Sequence, residues 1–201
     1  MRNLLSTALL AVMFAMSSSA LETGESAGAV SFETLDGLSR TMNNYGERNG
    51  TVVVFLSARC PETAARINAI NDSYERFRLR EVLFVGICAN PDETGEELRS
   101  FLQNSGVRFP VYRDPAAVLP DKFNATVTPE LFLLDKTGCM VYRGGLTAED
   151  GSPALDNAVK AMLARKSVKQ TTTAATGTPI GTVMPPYVGQ NPFGTILFSS
   201  T

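Results

Sequence analysis

The stretch Thr51-Val-Val-Val-Phe-Leu-Ser-Ala-Arg-Cys-Pro61 decides how this chain folds. Thr51 to Leu56 is a continuous β-branched and aromatic run, which reads as a strand buried on both faces under covering helices. After Cys60-Pro61 the apolar residues Ala64, Ile67, Ile70, Tyr74 and Phe77 recur every three or four positions, one face of a helix. Proline suits the first helical position, where its missing N–H costs nothing. A strand, a short turn and a cysteine at a helix start also make a reactive thiol. The helix N-terminus offers partial positive charge and unpaired N–H donors, which favour the nucleophilic thiolate. Thr63 stands where a Cys-x-x-Cys pair would place its second thiol, so Cys60 reads as a lone active cysteine.

Working outward, Val82 to Cys88 is a second buried strand, and Val30 to Leu35 alternates as a strand before the turn Asp36-Gly37. Leu38 to Tyr45 reads as a short helix. Asn90-Pro-Asp-Glu reads as the opening of a helix to about Asn104, with Asn90 as cap. Phe109 to Tyr112 is a short strand, and Asp114-Pro115 starts a helix reaching about Asn124. Glu130–Leu134 and Cys139–Arg143 are strands joined by the turn Asp135-Lys-Thr-Gly138, and Pro153 to Lys166 is a closing helix. Strands alternating with helices and ending in a hairpin predict an α/β fold with a mixed central sheet covered on both faces.

The two ends differ from the centre. Met1-Arg2-Asn3 is basic, Leu4 to Met16 is apolar but too short to span a bilayer, and Ser18-Ser19-Ala20 is small: the pattern of a signal peptide over 1–20. The expectation is an exported protein, periplasmic or extracellular, without stable membrane insertion after cleavage. Residues 21–29 are Gly/Ser/Ala/Glu-rich and read as loose. From Ser167 to Thr201 the chain is Thr/Pro/Gly-rich without helical periodicity, an extension that either lies along the domain or stays disordered. Its apolar end, Ile196-Leu-Phe198, could dock elsewhere.

Composition removes several functions. Lys and Arg total 18 against 20 acids, and no long basic stretch invites nucleic acid. Histidine is absent, which excludes His-based triads and His-ligated metal sites. With no second cysteine close in sequence to Cys60, a copper- or haem-delivery site is disfavoured, and no cofactor is expected. Three cysteines leave at least one unpaired. Cys88 ends a strand expected beside Thr51–Leu56, so it either resolves an oxidised Cys60 or is a buried core thiol, a common fate of free cysteine. Cys139 belongs at the opposite sheet edge. Glu62 and Glu130 lie near the thiol as proton relays or as solvated acids. Arg59 could stabilise a thiolate or sulfenate, or point to water. Asn49-Gly-Thr, Asn71-Asp-Ser and Asn124-Ala-Thr fit the glycosylation triplet.

Four segments carry a family resemblance: Val53 to Pro61, Val85-Gly-Ile-Cys-Ala-Asn-Pro91, Phe109-Pro-Val-Tyr-Arg-Asp114 and Val127 to Gly138, with Tyr142-Arg-Gly144 following. Over residues 28–166 the chain resembles the redoxin branch of the thioredoxin-like superfamily. That branch includes alkyl hydroperoxide reductase/thiol-specific antioxidant proteins and exported TlpA/ResA-type domains. The resemblance implies a three-layer fold and a cis Thr128-Pro129 peptide beside the active cysteine, with Cys60 as the attacking thiol. It implies partners among protein or small-molecule thiols and disulfides, or peroxides. Thr63 replaces the family's resolving cysteine. Val53 and Ser57 replace the Pro and Thr that precede a peroxidatic cysteine, and Thr128 stands near where the peroxide-polarising Arg is expected. The implied activity is thiol–disulfide exchange or peroxide reduction; the alternative is a non-catalytic binding module that uses the groove beside Pro129, with Cys60 vestigial.

Overall fold

A computed structural model describes residues 20–187. The expected leader, apart from Ala20, and the apolar end 196–198 lie outside them. The sheet is built on β3 (Gly50–Leu56), the run that opened the sequence reading; every residue in it is buried. It lies parallel to β4 (Val82–Cys88) with Leu56 opposite Cys88, and antiparallel to β7 (Glu130–Asp135) with Phe55 opposite Glu130. Adding β5 (Val111–Arg113), β8 (Met140–Gly144) and the hairpin β1 (Val30–Glu33)–β2 (Ser39–Met42) gives the order β2-β1-β5-β4-β3-β7-β8.

Strand alternation sorts the core into two layers. Val52, Val54, Leu56, Leu131 and Leu133 face α1 (Pro61–Arg78), α2 (Gly95–Ser105) and α4 (Ala154–Leu163). Val53, Phe55, Phe132 and Leu134 face α3 (Val118–Phe123) and the N-terminal segment. The mixed sheet with helices on both faces is therefore present as expected. Asp156 of α4 ties two helices together: it accepts from Ser73 Oγ at 2.8 Å and pairs with Arg76, both on α1. Asp156→Ala removes an ionised acceptor from a buried position and should cost about 1.5–3 kcal/mol of unfolding free energy, read by urea titration.

Several elements differ from the sequence reading. Leu38–Tyr45 is not a helix. The tight turn at Asp36-Gly37, with Gly37 at φ 82°, returns the chain as β2, whose ladder with β1 satisfies the backbone that a short polar helix would leave half paired. Asn90 does not cap a helix. Residues 90–93 form a turn closed by Glu93 N–H to Asn90 C=O at 3.2 Å, and α2 starts at Gly95 behind Thr94, whose Oγ1 accepts from Glu97 N–H at 3.1 Å. Asp114 lies ahead of α3 rather than within it, accepting from Leu119 N–H at 2.6 Å. Residues 21–29 are not loose: Leu21 and Ala27 are buried, and Ser26 bridges to Cys139. Of the two courses expected for the extension it takes the one along the domain, through Tyr187, and its Thr178–Pro179 strand (β9), which was not expected, pairs with β6 (Val127–Thr128).

Candidate active site

Three chain segments converge at the C-terminal end of β3: the turn Ser57–Cys60, the loop leaving β4 through Glu93, and the entry to β7 at Thr128-Pro129. Cys60 is the N-cap of α1, with Pro61 as the first helical residue. Its side chain is buried, at 1 % relative exposure. The sulfur accepts from Thr63 N–H at 3.4 Å, so a free N–H of the first helical turn is aimed at it. Its own proton has two oxygens in reach, Thr128 C=O at 2.9 Å and Glu62 Oε2 at 3.2 Å. The Thr128-Pro129 peptide is cis, as the resemblance implied.

The other residues singled out from sequence fall into two groups. Thr63 belongs with the sulfur: besides its N–H contact, its Oγ1 accepts from Ser57 N–H at 3.5 Å and closes the turn. Glu62 belongs too. Donation from its own backbone N–H, then from the Cys60 thiol and the Thr178 hydroxyl, holds it below the ordinary carboxylate range. Ser57 turns instead to Glu93, to which its hydroxyl donates, while accepting from Arg59 N–H at 3.1 Å. Arg59 is fully engaged away from the sulfur. It makes a two-pronged pair with Glu97 at 2.8 and 2.9 Å and donates to the carbonyls of Asp92 and Met184. Glu130 points to the α3 face. There it pairs with Arg143 at 2.9 Å and accepts from Thr126 N–H at 2.9 Å. Cys139 lies beyond the far end of β7.

Cys88 is buried on the α1 face of β4, as a core thiol would be, and its S–H donates to Glu93 Oε2 at 3.2 Å. Burial, then the nearby Glu93 carboxylate, pushes its pKa well above the ordinary thiol value. At neutral pH Cys88 is therefore a protonated thiol. We expect it to resist iodoacetamide in the folded protein and to react once the chain is denatured, as read by peptide mass mapping.

Glu93 is the site residue the sequence reading missed, having been assigned to a helix start. Its side chain is fully buried, at 0 % relative exposure. It accepts from the Ser57 hydroxyl, Ala58 N–H at 2.8 Å, Asn90 Nδ2 at 2.7 Å and the Cys88 thiol. It thus staples the active-site turn to the end of β4. The signal available in sequence was Pro91, which breaks the chain after a buried strand and leaves Asp92 and Glu93 in a turn rather than in a helix. The strand within the extension was not foreseen, because it is only two residues long and carries no periodicity. Among the described residues no group of three His, Cys, Asp or Glu is placed to hold a metal ion.

Comparison with known proteins agrees with this fold. The AhpC/TSA family pattern matches residues 23–143. Among solved structures, a hypothetical protein from Sinorhizobium meliloti superposes with a TM-score of 0.72 at 24 % identity, covering 81 % of this chain and 96 % of its own. A putative thiol:disulfide interchange protein DsbE from Chlorobium tepidum gives a TM-score of 0.62 at 17 % identity over 72 % of this chain and 99 % of its own. A secreted disulfide oxidoreductase from Mycobacterium tuberculosis gives 0.52 at 18 % identity over 66 % and 95 %. At these identities the likeness is one of fold. A search of curated proteins finds no match.

Proposed function

The chain belongs to the AhpC/TSA family, and we propose that it is an exported thiol–disulfide exchange protein whose attacking group is Cys60. The observation that carries this reading is the environment of the sulfur: N-cap of α1, accepting from Thr63 N–H, beside the cis Thr128-Pro129 peptide. The Glu62 carboxylate, 3.2 Å away, is the group in reach to take the thiol proton. The resulting thiolate attacks one sulfur of a disulfide. A bond forms between Cys60 and that sulfur, the original S–S bond breaks, and the second sulfur leaves as a thiolate that takes up a proton. Thr63 offers no thiol and Cys88 is held protonated against Glu93, so an external small thiol cleaves the mixed disulfide and regenerates Cys60.

Peroxide reduction is the weaker variant of this chemistry. It calls for a cation beside the sulfur, and the nearest in sequence, Arg59, spends its donors on Glu97, Asp92 and Met184. The binding-module reading is favoured by the burial of Cys60, which leaves little sulfur surface for a reagent. Incubation of the folded protein with oxidised glutathione, followed by peptide mass mapping, separates the readings. A glutathione adduct on Cys60 that dithiothreitol removes is expected; a Cys60 that stays unmodified over hours by both oxidised glutathione and a peptide disulfide would favour the binding module.

Export rests on the leader pattern of residues 1–20. Among the described residues no helix is long and apolar enough to cross a membrane. N-terminal sequencing of the protein from its host should begin near Leu21; an intact Met1 on the bulk of the protein would overturn the assignment.

A further inference from the structure

We propose that residues 171–187 are a displaceable strap occupying the docking edge beside Cys60, and that the partner which takes its place is an extended polypeptide segment carrying a disulfide. The proposal rests on the reading of Cys60 as the attacking thiol and names the substrate class of that site.

The strap sits on the sulfur's hydrogen-bond partners. Both oxygens that receive the Cys60 proton are held by Thr178: Thr128 through the β6–β9 pairing, and Glu62 through the Thr178 hydroxyl at 3.2 Å. On either side the chain is tied to the domain by its backbone. Thr173 N–H donates to Arg143 C=O at 3.1 Å, Ile180 N–H to Thr126 C=O at 3.0 Å, and Arg59 to Met184 C=O at 2.9 Å. Strap and domain are shaped to each other. A Cβ on Gly144 would lie 2.2 Å from Thr173 O, and a Cβ on Gly177 would lie 1.9 Å from Thr128 O. Neither approach is open to any other residue type without moving backbone.

The same strap is weakly anchored. No residue from Thr171 to Tyr187 is buried, and between its Thr178–Met184 portion and the loop Asn90–Glu93 lies a cavity of about 290 Å³, spanned by Gly181 N–H donating to Asn90 Oδ1 at 3.3 Å. Its hydrogen bonds are exposed or only part-buried and its apolar anchors are two, Ile180 and the Tyr187 ring on Phe101, so the segment between them opens locally before the domain unfolds. The edge it leaves, Thr126–Thr128, binds its occupant largely through main-chain groups, so it accepts another extended segment of different sequence. A small disulfide has no strand to offer and cannot compete for those bonds. A polypeptide disulfide can: its strand replaces β9 while one of its sulfurs bonds to Cys60, its S–S bond breaks, and the other sulfur leaves and is protonated. Two equivalents of external thiol then release the reduced polypeptide and return Cys60 to a thiol, leaving as their own disulfide.

The test uses the full chain and two variants. Gly177→Val drives a side chain into Thr128 O and lifts the strap. Thr178→Asp places a second carboxylate against Glu62 and repels it, at a half-exposed position that does not threaten folding. Iodoacetamide at neutral pH should label Cys60 at least about tenfold faster in both variants than in the parent. The parent should exchange with an unstructured peptide bearing one cysteine as its glutathione mixed disulfide about tenfold faster than with oxidised glutathione, and the variants should lose most of that preference. Equal labelling of Cys60 in the parent and Thr178→Asp overturns the cover, and a parent without peptide preference overturns the substrate class. Fast labelling without exchange of either disulfide overturns the redox reading and leaves the cover standing.

Discussion

Cys60→Ser should reduce disulfide exchange to the uncatalysed background, whereas Cys88→Ala should keep most of it. The asymmetry follows from where the two sulfurs sit. Cys60 caps α1, accepting an N–H of its first turn, and stands beside the cis Thr128-Pro129 edge where a disulfide can approach. A serine hydroxyl in its place stays protonated near neutral pH and cannot form the mixed disulfide through which exchange runs. Cys88 faces a buried carboxylate in the core, where burial and negative charge both oppose its thiolate. Its truncation should cost about 1 kcal/mol of stability, the ordinary effect of a small core deletion, and little activity. The readout is the rate of oxidised-glutathione reduction in the presence of excess external thiol, made in the Thr178→Asp background so that the strap does not mask the difference. If both variants abolished turnover and a 60–88 bridge were found by peptide mapping, the protein would be a two-cysteine enzyme.

How much of this was legible in the sequence depends on whether a signal was local. The β3 run and the periodicity after Pro61 reported burial directly, because side-chain alternation and helical repeat act within one element. They placed Cys60 at a helix start, and α1 does begin at Pro61. The Asp135–Gly138 turn likewise announced the β7–β8 hairpin. Failures arose where a distant partner chose the conformation. Ser39–Met42 has little intrinsic preference and became a strand because β1 was there to pair with it. Glu93 carries the composition of a helix start, yet its carboxylate is claimed by donors from Ser57 and Ala58, more than thirty residues earlier. The extension shows no periodicity because main-chain pairing, rather than an apolar face, holds it.

Glu93→Leu should be the most destabilising change at the site, costing at least about 3 kcal/mol of unfolding free energy. Replacing a buried charge by an apolar side chain is often harmless when its partners leave with it. Here they stay. The Ser57 hydroxyl, Ala58 N–H, Asn90 Nδ2 and the Cys88 thiol all donate to this one carboxylate. Ser57 and Cys88 are themselves buried, so water cannot readily replace the acceptor. Each orphaned buried donor costs about 1–3 kcal/mol. Glu93→Gln keeps one carbonyl oxygen for one pair of donors but turns an NH2 toward the other pair, so it should lose about half as much. Urea denaturation of the three proteins gives the order directly: parent, then Gln, then Leu. Because Ala58 lies two residues before Cys60, the same series should also loosen the active-site turn, and Cys60 labelling in the Thr178→Asp background should rise from parent to Gln. A Leu variant as stable as the parent would mean that these donors find other partners, and that the turn carrying Cys60 is held by something other than Glu93.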